Sequence, residues 1–121
     1  MKKKKLIFCF DIDNTICSTK NMDYETSKPN KKIINKINKL FDQGHVIKIY
    51  TARHMGKYKD NYVMANKKGY KKIKSQLRKW GLKFNELFFK PHADFYVDDK
   101  FINFKRNWHM KLNKYIEIKK R

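Results

Sequence analysis

The sequence predicts a three-layer α/β domain built on a mainly parallel sheet. Short apolar runs of strand length, Leu6–Phe10, Val46–Tyr50, Leu87–Phe89 and Phe95–Val97, alternate with segments of helical periodicity. The first run is apolar at every position, as suits a strand buried on both faces. Three of the runs lead straight into polar residues at their carboxyl ends, where parallel sheets bind ligands.

Taken in order, Lys2–Lys5 is a basic, solvated leader and Leu6–Phe10 the first strand. Asp11–Asn30 is polar and without periodicity. Pro29 is placed to open a helix, since its fixed φ suits a first turn. Ile33, Ile34, Ile37, Leu40 and Phe41 then follow at helical spacing, and Gly44 is the expected C′ residue. Val46–Tyr50 is β-branched and ends at Thr51, whereas Met55–Lys68 reads as either a loop or a helix. Tyr70, Ile73, Leu77 and Trp80 mark a further helix that Gly81 ends. Leu87–Phe89, Phe95–Val97 and Tyr115–Ile118 complete the expected strands. Trp80 and Trp108 are read as core or cover residues.

The 121 residues suit a single domain, residues 1–121, with apolar residues at 40% and enough of them to form a core. No apolar run approaches the roughly 18 residues of a membrane span. The run before Asp11 is too brief for a signal-peptide core, so the expectation is a cytoplasmic protein with no membrane partner. Cys9 and Cys17 make no disulfide framework, and no Cys/His cluster has zinc spacing. With 31 Lys+Arg against 11 Asp+Glu, the formal charge is +20. A field of that sign attracts anions, and nucleic acid is one reading. The lysines are spread along the chain beside abundant Asn and Ile, so compositional bias is the favoured account.

Right-handed crossovers would bring the polar strand ends together: Asp11 and Asp13 with Asn14 and Thr15, then Thr51 with Arg53, then Asp98 and Asp99. Carboxylates so crowded repel unless protonated or joined by a cation. Oxygen donors without Cys or His favour a hard ion, so Mg2+ is the expected cofactor. A carboxylate beside such an ion can act as a nucleophile toward phosphorus and form an aspartyl-phosphate.

Phe8-Cys9-Phe10-Asp11-Ile12-Asp13-Asn14-Thr15-Ile16 resembles the first motif of the haloacid dehalogenase superfamily of phosphotransferases. Ile47-Lys48-Ile49-Tyr50-Thr51 is similar to its second, Lys90-Pro91 to its third, and Tyr96-Val97-Asp98-Asp99 to its acidic fourth. The four occur in the family's order over roughly residues 6 to 104. The resemblance implies a Rossmann-like fold and a magnesium-dependent phosphatase. It makes Asp11 the nucleophile and a metal ligand. Asp13 becomes the acid and base, with its carbonyl on the metal. Thr51 and Lys90 hold the phosphoryl group, and Asp98, with Asp99 as second ligand or neighbour, completes the metal site.

Lys83 competes with Lys90, which is favoured because it follows a strand and lies nearer the acidic motif. Asp94 is a neighbour that would only orient Lys90. Asn14, Thr15, Arg53 and His92 are the candidate substrate contacts, and Cys17 is read as a bystander. Phe89 stands where the third motif usually has glycine, and Asn14 where the first usually has glycine. Asn is suited to that position because it accepts turn conformations.

Neither Ile16–Pro29 nor Thr51–Lys90 is long enough for a globular insertion, so no cap domain is expected and the site should be open unless a second copy closes it. Gly44-His45-Val46-Ile47, Trp80-Gly81-Leu82 and Asp94–Lys100 are similar to a small capless subfamily associated with capsule and surface-polysaccharide biosynthesis. That likeness implies a phosphorylated sugar or polyol as the small substrate. A polynucleotide end, or a basic module that binds polyanions without turnover, are the alternatives.

Overall fold

Three parallel strands form the sheet, in the order β1 (Ile7–Asp11), β4 (Val46–Thr51), β5 (Glu86–Phe89). The structure, a computed structural model, describes residues 4–102, 109 and 112–120. Between β1 and β4 the chain makes a two-stranded antiparallel hairpin, β2 (Cys17–Ser18) and β3 (Lys28–Pro29), closed through a 3₁₀ turn at Tyr24–Thr26, and then helix α1 (Lys31–Asp42). Helix α2 (Tyr62–Lys79) joins β4 to β5, and α3 (Leu112–Lys120) follows.

The strand register puts alternate residues on two unlike faces. Phe8 and Phe10 of β1, Ile47 and Ile49 of β4 and Leu87 of β5 share one face and join the core, together with Ile33, Ile34, Ile37 and Leu40 of α1 and Ile73 and Leu77 of α2. Each such buried aliphatic side chain contributes about 1.5–3 kcal/mol. On the other face Ile7 is 66% exposed, and Cys9 and Phe88 are exposed beside it. Among the described residues the helices cover the core face, which makes a mixed α/β domain with a mainly parallel sheet. Both crossovers advance the same way across the sheet, and right-handed connections that do so place both helices on the same side.

Local chemistry sets the element ends. Contrary to the expectation, Pro29 does not open α1, because it pairs with Cys17 in the hairpin. Asn30 is the cap instead, its side chain accepting from Ile33 N at 3.3 Å. Gly44 follows α1 at φ +91°, the left-handed conformation a C′ glycine supplies. The ambiguous Met55–Lys68 stretch divides: turns run to Asp60, and Asn61 caps α2 by accepting from Met64 N at 3.1 Å. Within α2, Gly69 makes room for His54, since a Cβ there would lie 2.3 Å from the imidazole Cδ2. Asn38 ties α1 to the approach to β5, donating to Gly81 O and accepting from Lys83 N.

Two further expectations are overturned. Tyr115–Ile118 lies within α3, where Leu112 and Ile116, one turn apart, are both buried in the core. Phe95–Val97 is not a strand: among the described residues no ladder pairs it, and Phe95 and Val97 are 87% and 98% exposed. Tyr96 donates its hydroxyl to Pro91 O, and a turn at Asp98 folds the chain back on itself. Strand-forming side chains need a partner strand, and propensity alone does not supply one. Trp80 packs against the core as expected, while Trp108 lies outside the described residues.

Candidate functional site

Asp11 is the last residue of β1 and sits opposite Tyr50 in the register, so both lie on the uncovered face at the carboxyl end of the sheet. Its Oδ1 accepts from Ile12 N at 2.8 Å and meets Lys90 Nζ at 3.4 Å. Burial raises the proton affinity of this carboxyl above the usual carboxylate range, while the Lys90 cation opposes the rise and Asp13 adds to it. Lys90 is placed by its own backbone, which continues the β5 pairing by donating to Thr51 O at 2.9 Å. Its ammonium lies over the rings of Tyr50 and Tyr96, at 4.2 and 4.3 Å from their centroids. The Tyr50 phenol is pushed up to about 12, by burial first and then by the negative charges around it, Asp11 and Asp98 among them.

Lys83 stands elsewhere. It precedes β5 and pairs with Asp42 at 2.9 Å on the surface, so Lys90 is the lysine at the site. Asp94 is exposed.

Asp13 is held from the other side. Arg53 donates from Nε to Asp13 Oδ2 at 2.9 Å and from Nη2 to Oδ1 at 2.8 Å. Thr19 donates its hydroxyl to Oδ1 at 2.6 Å; its single proton thus spent, Ser27 must donate to Thr19, also at 2.6 Å. Arg53, expected from the sequence to touch substrate, is instead turned onto the protein. Its residue is 3% exposed, its remaining Nη1 donates to Gln76 Oε1 at 2.7 Å, and its guanidinium lies 4.6 Å from the Tyr24 ring centroid. Gln76 in turn donates to Tyr24 O at 2.7 Å.

Thr51, fully buried, accepts on Oγ1 from Arg53 N at 3.1 Å and keeps its own proton to donate. Asn14 adopts φ +60°, the conformation for which glycine is otherwise used, and its Oδ1 accepts from Thr19 N. Thr15, half-buried, begins the turn by donating from N to Ile12 O. His92 is exposed; its backbone N donates to Asp60, and its ring lies against Gly56. Cys17 is a bystander here too: its thiol is buried and burial raises it, which keeps it from being a thiolate nucleophile.

The four aspartates do not form one cluster. Among the described residues no group of three or more His, Cys, Asp or Glu side chains could hold a metal ion. Asp98 Oδ1 accepts from Lys100 N at 2.8 Å, and Asp99 is exposed in the same turn. The expected ligands Asp11, Asp13, Asp98 and Asp99 offer only hard oxygen donors, the type that suits Mg2+.

A cleft of about 860 Å3 opens next to the first motif, lined by Asn14, Thr15 and Ser18, by Lys28 of β3 and by Lys31 and Lys32 at the start of α1. Tyr24, Thr19 and Gln76 were not anticipated. For Gln76 a signal existed: it sits one turn from Ile73 and beside Leu77, a polar residue at the margin of the buried stripe of α2.

A solved structure of an MCSG target from Vibrio cholerae is similar, with a TM-score of 0.80 and 24% identity over 97% of this chain and 100% of that one. The likeness is one of fold. It supports a mixed α/β domain with a parallel sheet. No family model and no curated protein matches the chain. Among the described residues no helix is long and apolar enough to cross a membrane.

Proposed function

We propose that the chain is a magnesium-dependent phosphomonoester hydrolase that works through an aspartyl-phosphate on Asp11. The observation that carries the reading is the Lys90–Asp11 pair at 3.4 Å at the carboxyl end of the sheet, two residues before a fixed second carboxylate. A carboxylate oxygen of Asp11 attacks phosphorus and the bond from phosphorus to the ester oxygen breaks. Asp13 gives its proton to the departing oxygen and is left as a carboxylate. Water then attacks the aspartyl-phosphate and passes a proton back to Asp13, releasing inorganic phosphate and freeing Asp11. The Lys90 ammonium and the Thr51 hydroxyl meet the negative charge of the phosphoryl oxygens. Asp11, the Asp13 carbonyl and Asp98, with Asp99 beside it, are the donors that would hold Mg2+. When bound, the ion supplies further positive charge to the phosphoryl group.

The open site, without a cap domain, accepts a phosphorylated sugar or polyol, the substrate class that the sequence resemblance implies. The lysine-lined cleft favours a second reading, in which the leaving group is a polynucleotide end whose phosphates lie along Lys28, Lys31 and Lys32. A panel of sugar phosphates, polyol phosphates and 3′-phosphorylated oligonucleotides, assayed with magnesium and with a chelator, tests both. Chelator-sensitive phosphate release that Asp11→Asn abolishes is the expected result; no release from any ester would end the enzymatic reading. Turnover confined to oligonucleotides and falling steeply with salt would select the second ester class, whereas a small ester would respond mildly.

A further inference from the structure

Arg53 occupies an unusual position for a cation in so basic a chain. It is buried and spends every face on the protein: Nε and Nη2 on Asp13, Nη1 on Gln76, and its plane against Tyr24. A single guanidinium therefore joins the first motif, the hairpin segment and α2 around one carboxylate. The two oxygens of that carboxylate are treated differently. Oδ1 takes Arg53 Nη2 and the Thr19 hydroxyl at 2.8 and 2.6 Å, with the Cys17 thiol 3.9 Å away. Oδ2 takes Arg53 Nε at 2.9 Å. Each carboxylate oxygen has two lone pairs, so Oδ1 is filled while Oδ2 retains one.

We infer that Arg53, braced by Gln76 and Tyr24, is a positioning residue that dedicates Asp13 Oδ1 to the scaffold and presents Asp13 Oδ2 for proton transfer. The inference rests on the hydrolase reading and adds to it the oxygen that carries the proton and the residue that aims it. A bidentate guanidinium fixes both the rotation and the reach of the carboxyl group, which a lysine, a point charge on a flexible stem, does not. Misplacing an acid by about 1 Å costs on the order of 100-fold in rate. The bracing also gives Gln76 a role at the margin of the buried stripe of α2: its amide oxygen accepts from Nη1, the guanidinium nitrogen that Asp13 does not engage, and its nitrogen returns to the Tyr24 carbonyl.

The test uses the leaving group as the probe. p-Nitrophenolate departs with little help from an acid, whereas an alkyl alkoxide needs a proton. Arg53→Met and Arg53→Lys are assayed with p-nitrophenyl phosphate and with a simple alkyl phosphate, and melting curves check that both variants fold. The expected result is a loss of about 100-fold in kcat on the alkyl ester, with KM within about threefold and a much smaller loss on p-nitrophenyl phosphate. Gln76→Leu, which leaves Arg53 in place but unbraced, should show the same pattern at smaller size. Equal losses on both esters, or none, would overturn the positioning role while leaving the hydrolase reading intact. Wild-type protein inactive on both esters would instead count against that reading. A readout independent of turnover is the Arg53 Nε proton, expected in the nitrogen-15 spectrum as a slowly exchanging signal that Asp13→Asn removes. A fast-exchanging Nε proton in the wild type would overturn the bidentate pairing itself. Should Arg53→Met fail to fold, Gln76→Leu and the nitrogen-15 signal decide the matter.

Discussion

The backbone N–H of Lys90 donates to the carbonyl of Thr51 at 2.9 Å, extending the β4–β5 ladder one step beyond β5 and bringing the lysine ammonium back over the sheet end to Asp11. Thr51 thereby joins the two halves of the site, because its hydroxyl accepts from Arg53 N. A sheet hydrogen bond thus fixes where the Lys90 ammonium stands.

Lys90→Met should lower kcat by about 100- to 1,000-fold, the usual effect of losing one preorganised group facing developing charge. Lys83→Met should leave kcat within about twofold, since its pair with Asp42 is on the surface and contributes little. Steady-state rates of the two variants on one ester check this; a large loss in Lys83→Met with none in Lys90→Met would reverse the assignment.

Asp11→Asn should abolish turnover and, at neutral pH, stabilise the fold. Burial raises the Asp11 carboxyl in the folded state, so ionisation is costlier there than in the unfolded chain. The contribution of Asp11 to stability is thus fully present below its ordinary value of 3.8 and is lost as pH rises through the higher folded value. Melting temperatures of wild type and Asp11→Asn should converge below that pH and separate above it, with the variant higher. A lower melting point for the variant at pH 7 would contradict the burial account.

Tyr50, raised to about 12, should be among the last phenols to ionise. A phenol whose folded value exceeds its ordinary 10 stabilises the fold below pH 10, and that contribution disappears as pH climbs toward 12. Tyr50→Phe should remove one late step from the ultraviolet phenolate titration and lessen the loss of stability between pH 10 and 12. An early-titrating phenol removed by that substitution would disprove the assignment.

Asn30→Ala should cost about 1 kcal/mol by removing the cap of α1, lowering the melting temperature by a few degrees. Asn30→Asp should preserve stability, since Asp caps equally well and suits the positive helix end. Thermal melts of the pair separate loss of the cap from any other effect at this position.

What the sequence determined by itself is the set of features that need only neighbours along the chain. The periodicities of α1 and of Ile73 to Leu77, the β-branched run of β4, and the glycine at C′ are each local matches of side chain to backbone. Polar residues directly after apolar runs likewise marked Asp11 and Thr51 at strand ends. Only the tertiary structure decided the rest, because those outcomes depend on which distant atoms meet. It chose Lys90 over Lys83, since the two lie at opposite ends of one short strand. It turned Arg53 from a substrate contact into the partner of Asp13, forty residues away. Among the described residues it left Phe95–Val97 without a strand to pair with, and it made Tyr115–Ile118 helical around Leu112 and Ile116. Chirality of the crossovers and the reach of side chains across the fold settle such matters, and neither is written in the spacing of residues along a chain.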